Sequence, residues 1–241
     1  MQARRNDIDS RAFGWPVLSI LDFDAGADFH AFEQSYIVEH RPRYVSCKLP
    51  MGDLAAIHAA EAAGFRLVEV QVTGDIPVRE RSVEGLPYQF ETVSSEAVLD
   101  EVLEIAGTSF DQDRYSKDPG IGPVLSGKRY QEYVRQSFTA ADEEVCRMLD
   151  PDDGRTLTFK THKFTAPGRA IGLLSAVRND HKGSGIGLVA DLFYFNYLGL
   201  RGISRVTTSF SAEHRLIAQH LIGHMGLKVH TTCAILRKLY P

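Results

Sequence analysis

The chain has 241 residues, 44% hydrophobic and 24% charged, with Lys+Arg 27 against Asp+Glu 31 and a formal net charge of -4. That much apolar material excludes a wholly disordered chain, and the length suits one large domain or two small ones. The slightly acidic balance excludes the broad positive field of a nucleic-acid binder. Cys47, Cys146 and Cys233 are odd in number and far apart. They make neither a C-x-x-C pair nor a disulfide framework, which suits a reducing cytoplasm. Residues 1–15 lack the apolar core of a signal peptide, and no apolar run reaches the ~18 residues of a membrane helix, so no membrane partner is expected.

In chain order, residues 17–23 suit a strand and residues 24–27 a turn. Asp28 is placed to cap a helix through Phe29, Phe32, Tyr36 and Ile37. Residues 44–49 suit a strand. Asp53 opens an Ala-rich helix over 54–63, with Gly64 as its C-terminal glycine, and 65–72 alternates as a strand. From 73 to 95 the pattern weakens into Gly, Pro and charge, and it reads as a connector. Ser95 then caps a helix carrying Val98, Val102, Leu103 and Ile105. Residues 111–123 form a polar loop, and a helix follows near 127–138. Strands are expected over 144–149, 155–164 and 170–177, with turns at 150–154 and 166–169. A glycine-rich turn at 183–187 opens a helix to about 198. A strand over 203–209, a helix over 211–224 and a strand over 229–239 complete the chain.

Strand, helix and strand in this order give an α/β chain of the α+β type, with a mixed, twisted sheet flanked by helices. The connector divides it into a small N-terminal α/β domain, residues 1–93, and a second domain, residues 94–241. Residues 54–72 (helix, Gly64-Phe65, strand) echo residues 216–236 (helix, Gly226-Leu227, strand). The echo fits either a duplicated half or the commonness of such units.

The informative segment is Lys182-Gly183-Ser184-Gly185-Ile186-Gly187. A glycine turn between a buried strand and a helix gathers backbone N–H groups at the positive end of the helix dipole, where a pyrophosphate fits. By itself such a turn equally suits a tight reversal with no ligand. A P-loop is excluded because no Lys-Ser or Lys-Thr follows the glycines. A dinucleotide fingerprint is excluded by the G-x-G-x-G spacing, the late position and the absence of an acid in 203–209.

Val177, Lys182, Gly185 and Gly187 together resemble the signature V-x-x-x-x-[RQ]-x-x-G-x-[GA] of the GNAT acetyltransferase superfamily. Downstream, Ala218, Leu221 and Gly226 match that superfamily's pattern, whereas Arg215, Ile222 and Leu227 depart from it. The succession of residues 9–14, 63–69, 109–115, Asp118-Pro119 and Tyr130-x-x-Tyr133-x-x-x-Ser137 is similar to the TDP-fucosamine N-acetyltransferase group. The resemblance implies a GNAT fold, with residues 1–93 as a truncated GNAT-like half. It also implies an N-acetyltransferase that moves an acetyl group from acetyl-CoA to a primary amine, one carried by a nucleotide-activated amino sugar. The enzyme would be a monomer or homodimer whose partners are CoA and a small-molecule amine.

The resemblance also implies residue roles. Lys182, Gly183, Ser184, Gly185, Ile186 and Gly187 would hold the CoA pyrophosphate, and Arg215 would either touch a CoA phosphate or lie solvated. Ala176 and Val177, in the preceding strand, would supply backbone N–H groups to the pantetheine arm and to the developing oxyanion. Arg114, Tyr115 and Asp118 would lie near the acceptor, or serve a solvated connector. The general acid of the superfamily is a Tyr at the position of Ile222, which has no proton to give. His220 and His224, two residues to either side, are expected on another helix face, solvated and without metal. Ile222 and Arg215 leave open a degenerate, non-catalytic acyl-CoA-binding module. An acyl-CoA decarboxylase or another acyltransferase on the same fold also stays open.

Overall fold

A computed structural model describes residues 1–24, 26 and 28–241. The turn expected at 24–27 includes Ala25 and Ala27, and to that extent lies outside the described residues. The strands are β1 (Gln2–Arg5), β2 (Val17–Asp22), β3 (Tyr44–Pro50), β4 (Arg66–Pro77), β5 (Gln89–Thr92), β6 (Glu143–Leu149), β7 (Thr156–Ala166), β8 (Arg169–Val177), β9 (Arg205–Ser211) and β10 (Lys228–Leu239). The helices are α1 (Asp7–Phe13), α2 (Phe29–His40), α3 (Leu54–Ala62), α4 (Glu96–Ser109), α5 (Arg114–Lys117), α6 (Gly122–Thr139), α7 (Ile186–Leu200) and α8 (Arg215–Ala218). Helix α8 runs on into a wider π-type coil over Gln219–His224.

All ten strands join one sheet in the order β1-β2-β3-β10-β4-β9-β8-β7-β6-β5. Among the described residues, the parallel pairs are β2–β3 and β8–β9. The order has an internal logic. β2, α2, β3, α3 and β4 repeat the path of β8, α7, β9, α8 and β10, with a parallel first pair each time. Each repeat then sends its last strand into the other: β10 pairs with both β3 and β4, and β4 pairs with both β10 and β9. The echo between 54–72 and 216–236 is thus also an echo in space.

Local chemistry explains the elements that sequence reading passed over. Helix α1 is capped by Asn6, which accepts from the Asp9 N–H at 3.0 Å, and ends on left-handed Gly14. Its polar residues Asp9 and Ser10 are buried, so no apolar stripe marks it. The presumed connector holds the second half of β4 and all of β5. There Gly74 is required because a Cβ would collide with the Leu227 side chain and the Lys228 carbonyl. Asp75 is tolerated in the ladder because Thr207 donates to it at 2.7 Å.

Helices α4 and α6 pack with Val145, Phe159 and Ala176, while α7 packs with Ala170 and Val206. Phe159 and Lys160 are neighbours on β7, so their side chains point to opposite faces. Lys160 meets α7. The two helix layers therefore cover opposite sides of the sheet.

Two buried polar groups generate tests. Asp118 is held by Arg237 of β10 through contacts of 2.7 and 3.1 Å and also accepts from the Gly120 N–H at 2.9 Å. Breaking a buried pair strands the remaining charge, so Asp118→Asn should cost about 3 kcal/mol in urea unfolding. His162 on β7 is fully buried among Phe164, Tyr194 and Tyr197. Burial pushes its pKa from 6.5 down to about 4, although Glu144 lies 3.4 Å away and pulls the other way. The unfolded chain therefore binds this proton more readily than the native one. The stability conferred by neutral His162 is complete above pH 6.5 and lost as pH falls toward 4, an effect of ~3 kcal/mol. Urea titrations across that range should show a smaller acid loss in His162→Gln than in wild type.

Candidate functional site

The site begins where β8 and β9 stop pairing. Their parallel register runs from Arg169↔Arg205 to Gly172↔Thr208 and ends there. Just beyond, β8 carries a bulge against β7: Gly172 faces His162 and Leu174 faces Thr161, which leaves Leu173 as the extra residue. A bulge bends its strand and frees local backbone groups. The Leu174 N–H accordingly turns to the Thr161 hydroxyl at 3.1 Å. Past this point β8 and β9 are unpaired, and we call the stretch between them the wedge. Ile171 and Leu173, 36% and 38% exposed, offer apolar side chains beside it.

Alternation along β8 decides which backbone groups are spare. The Arg178 N–H donates to the Leu157 carbonyl at 2.7 Å, so Ala176, two residues earlier, shares that orientation toward β7. Ser175 and Val177 present their N–H and C=O groups to the opposite, wedge side. The Val177 carbonyl there accepts from Ser109 Oγ at 2.9 Å. Of the two strand positions singled out from sequence, Val177 faces the wedge and Ala176 faces the ladder.

Beyond β8, a 3-10 turn over Asn179–His181 leads into the glycine segment. Gly183 and Gly185 have φ of +80° and +84°, and a Cβ at either would meet nothing within 4 Å. Gly187 packs against the end of β8, where a Cβ would come to 3.2 Å from Val177. Ser184 accepts from the Ile186 N–H at 3.3 Å and donates to the His181 carbonyl at 2.7 Å. Ile186 is buried against Met148, Leu157 and Ala190 and fixes the helix start. Among the described residues, nothing accepts from the N–H groups of Gly183, Gly185 and Gly187. The first turn of α7 holds no acid, so its dipole is uncompensated. Lys182 stands at the rim, 3.2 Å from Asp111. An open, cation-flanked nest of amides results.

Other expected residues are placed differently. Arg215 begins α8 and lines a cavity of about 430 Å³ with Leu67, Glu69, Val70 and Glu213, a cavity that excludes the glycine turn. Helix α5, capped by Asp113, lies inside the expected polar loop. Its Tyr115 is buried and donates to Asp9 at 3.2 Å, and Asp118 is spent on Arg237. Arg114 is paired with Glu69 and lies over the Tyr115 ring at 4.6 Å. The three thus hold the 109–118 segment in place, and only Arg114 reaches the cavity, through Glu69. Lys117 adds a 2.8 Å contact to Glu213 on the same side.

Sequence reading missed a buried polar chain beneath the wedge. Lys160 Nζ on β7 lies 2.9 Å from Ser175 Oγ on β8 and 2.6 Å from Asp191 Oδ1 on α7. Asp191 Oδ2 lies 2.6 Å from His220 Nε2. Burial works to raise the Asp191 pKa, but Lys160 and His220 outweigh it and hold the carboxyl below its usual range. The expectation of a solvated His220 is therefore corrected: its side chain is only 12% exposed and ties α8 to α7. No pattern in sequence joins residues 160, 175, 191 and 220; only the fold does. Ile222 is 46% exposed.

No protein-family profile and no curated protein matches the sequence. Solved structures do match in shape. A GCN5-related N-acetyltransferase from Sphaerobacter thermophilus aligns over 98% of this chain and 76% of its own, with TM-score 0.70 and 16% identity. A tandem GNAT protein from the clavulanic acid biosynthesis pathway aligns over 95% and 77%, with TM-score 0.63 and 12% identity. A GCN5-related glucosamine N-acetyltransferase region of a fungal multi-domain beta-N-acetylglucosaminidase aligns over 93% of this chain and 30% of that one, with TM-score 0.64 and 11% identity. At such identities the likeness is one of fold. The chain has the fold of the GCN5-related N-acetyltransferases.

Proposed function

We propose that the protein is an acetyl-CoA-dependent N-acetyltransferase acting on a primary amine, with a nucleotide-activated amino sugar as the acceptor class. One observation carries the reading. The wedge between β8 and β9 runs up to a turn in which the N–H groups of Gly183, Gly185 and Gly187 have no partner among the described residues and the space around Gly183 and Gly185 is open. That is a fitting cradle for a pyrophosphate with a thin arm extending from it. The residues that would hold the diphosphate are Lys182, Gly183, Ser184, Gly185, Ile186 and Gly187, and Val177 would pair with the arm. Bound acetyl-CoA supplies an activated thioester carbonyl.

The remaining work falls to this chain. The Val177 N–H faces the wedge as a donor for developing negative charge, while the Ala176 N–H is committed to β7. The apolar Ile171 and Leu173 exclude water beside the wedge. The cavity is walled by Glu69 and Glu213, which carry their partners Arg114 and Lys117, and by Arg215, which is placed for an anionic group such as a sugar-linked phosphate. The amino-sugar class is supported by this mixed charge and by the glucosamine named for one fold neighbour. Among the described residues no helix is long and apolar enough to cross a membrane.

The exposed Ile222 favours one alternative, a module that binds acyl-CoA without turnover. Thermal-shift and calorimetric titration with acetyl-CoA, CoA and free nucleotides tests the shared requirement. Saturation at ~100 Kd should add about 2.7 kcal/mol to stability. No shift with any CoA species would overturn the proposal. Release of free thiol in the presence of TDP-linked amino sugars and simple primary amines separates transferase from binding module. Lys182→Ala should weaken CoA binding about tenfold and leave amine KM nearly unchanged; an equal effect on both would remove Lys182 from the phosphate site.

A further inference from the structure

The chain Ser175–Lys160–Asp191–His220 links three ionisable groups, by successive contacts, to the exposed Ser175 of β8 just past the bulge. Lys160 is 5% exposed, and a buried ammonium is costly unless paired. The 2.6 Å contact to Asp191 meets that requirement. Asp191 then has a second oxygen left, and it is 2.6 Å from His220 Nε2. Because Lys160 keeps Asp191 ionised, that carboxylate accepts a proton bond from Nε2. This fixes the imidazole tautomer and leaves Nδ1 as the lone-pair nitrogen. Among the described residues, Nδ1 has no protein partner and is not sealed from solvent. Ser175, joined to the same Lys160, is exposed on the wedge strand just past the bulge. The polar chain therefore runs from the open floor of the wedge to an oriented imidazole with one free nitrogen.

We infer that His220 is the catalytic proton carrier of the transfer step, with Asp191 as its positioning residue and Lys160 as the charge that keeps Asp191 ionised; the inference rests on the acyl-transfer reading of the wedge. The amine nitrogen forms its bond to the thioester carbonyl carbon and gives up one proton to His220 Nδ1. The carbon–sulfur bond breaks, its electron pair goes to sulfur, and the Nδ1 proton passes to the thiolate. Amine and thioester become amide and thiol, His220 returns to its neutral form, and no oxidant or further reactant is needed. Among the described residues, the ionisable groups recorded against the ring are Asp191 on α7 and His224, whose ring lies 6.0 Å away; Lys160 on β7 stands behind Asp191.

The test has two readouts on the full chain. In steady-state transfer from acetyl-CoA, His220→Ala should lower kcat by roughly 10²–10³-fold with acetyl-CoA KM within about threefold. His220→Asn, which keeps a polar side chain on the π-type coil, should do the same if the alanine variant folds poorly. The second readout needs no turnover: the ultraviolet absorbance of the thiolate of bound CoA, titrated with pH. An oriented imidazolium lowers a neighbouring thiol's pKa, so the bound thiol should titrate about one unit lower in wild type than in either variant. Variants with unimpaired kcat, or with the same thiol titration as wild type, overturn the assignment while leaving the transferase reading intact. Wild type that binds CoA yet acetylates no amine overturns both.

Discussion

Four paired residues of β8 and β9, followed by none, set the geometry on which the rest depends. A parallel pair is satisfied only while its strands stay side by side, and past Gly172 the bulge at Leu173 turns β8 away. The backbone groups of Ser175 and Val177 then have no strand opposite. Three features lie along the strands that border this gap: the amide nest at 183–187 follows β8, the cavity beside Glu69 and Glu213 adjoins the end of β9, and the Lys160–Asp191–His220 chain meets β8 at Ser175.

The wedge needs a rigid frame, and the exchange of β4 and β10 provides it. β9 is pinned by β4, which is pinned by β10, which is pinned by β3. The 109–118 segment is bolted across the same region by Arg114–Glu69, Lys117–Glu213 and Asp118–Arg237. Residues in such a segment look from sequence like a solvated loop. Their charges are in fact matched pairwise to Glu69 of β4, Glu213 just after β9 and Arg237 of β10.

Much of this was legible before any coordinates. The apolar period and the caps at Asp28 and Asp53 mark α2 and α3, and the glycine run marks the start of α7. Sequence reading falls short where burial is polar or partners are remote. Helix α1 buries Asp9, whose charge is met by Arg129, 120 positions away, and which also accepts from Tyr115, 106 positions away. The second half of β4 looks like a linker because Gly74 and Asp75 answer to Leu227 and Thr207. The nest at 183–187 is local in sequence and therefore readable. The relay to His220 is assembled from four elements and is not. Spacing around a single helix puts His220 on a solvated face, because that spacing carries no information about the facing α7.

The repeat within the fold has an asymmetric outcome. Helix α2 stands to β2 and β3 as α7 stands to β8 and β9, so the chain contains two equivalent strand-to-helix junctions. At the first, Asp28 caps the helix and accepts from the Ala31 N–H at 3.1 Å, in a stretch that also carries Asp22 and Asp24. That junction supplies its own negative charge. At the second, glycines stand where a carboxylate would, and the helix end is left bare. Among the described residues the doubled architecture thus leaves one of these two helix starts bare, and on the proposed function one phosphate-bearing guest per chain is expected.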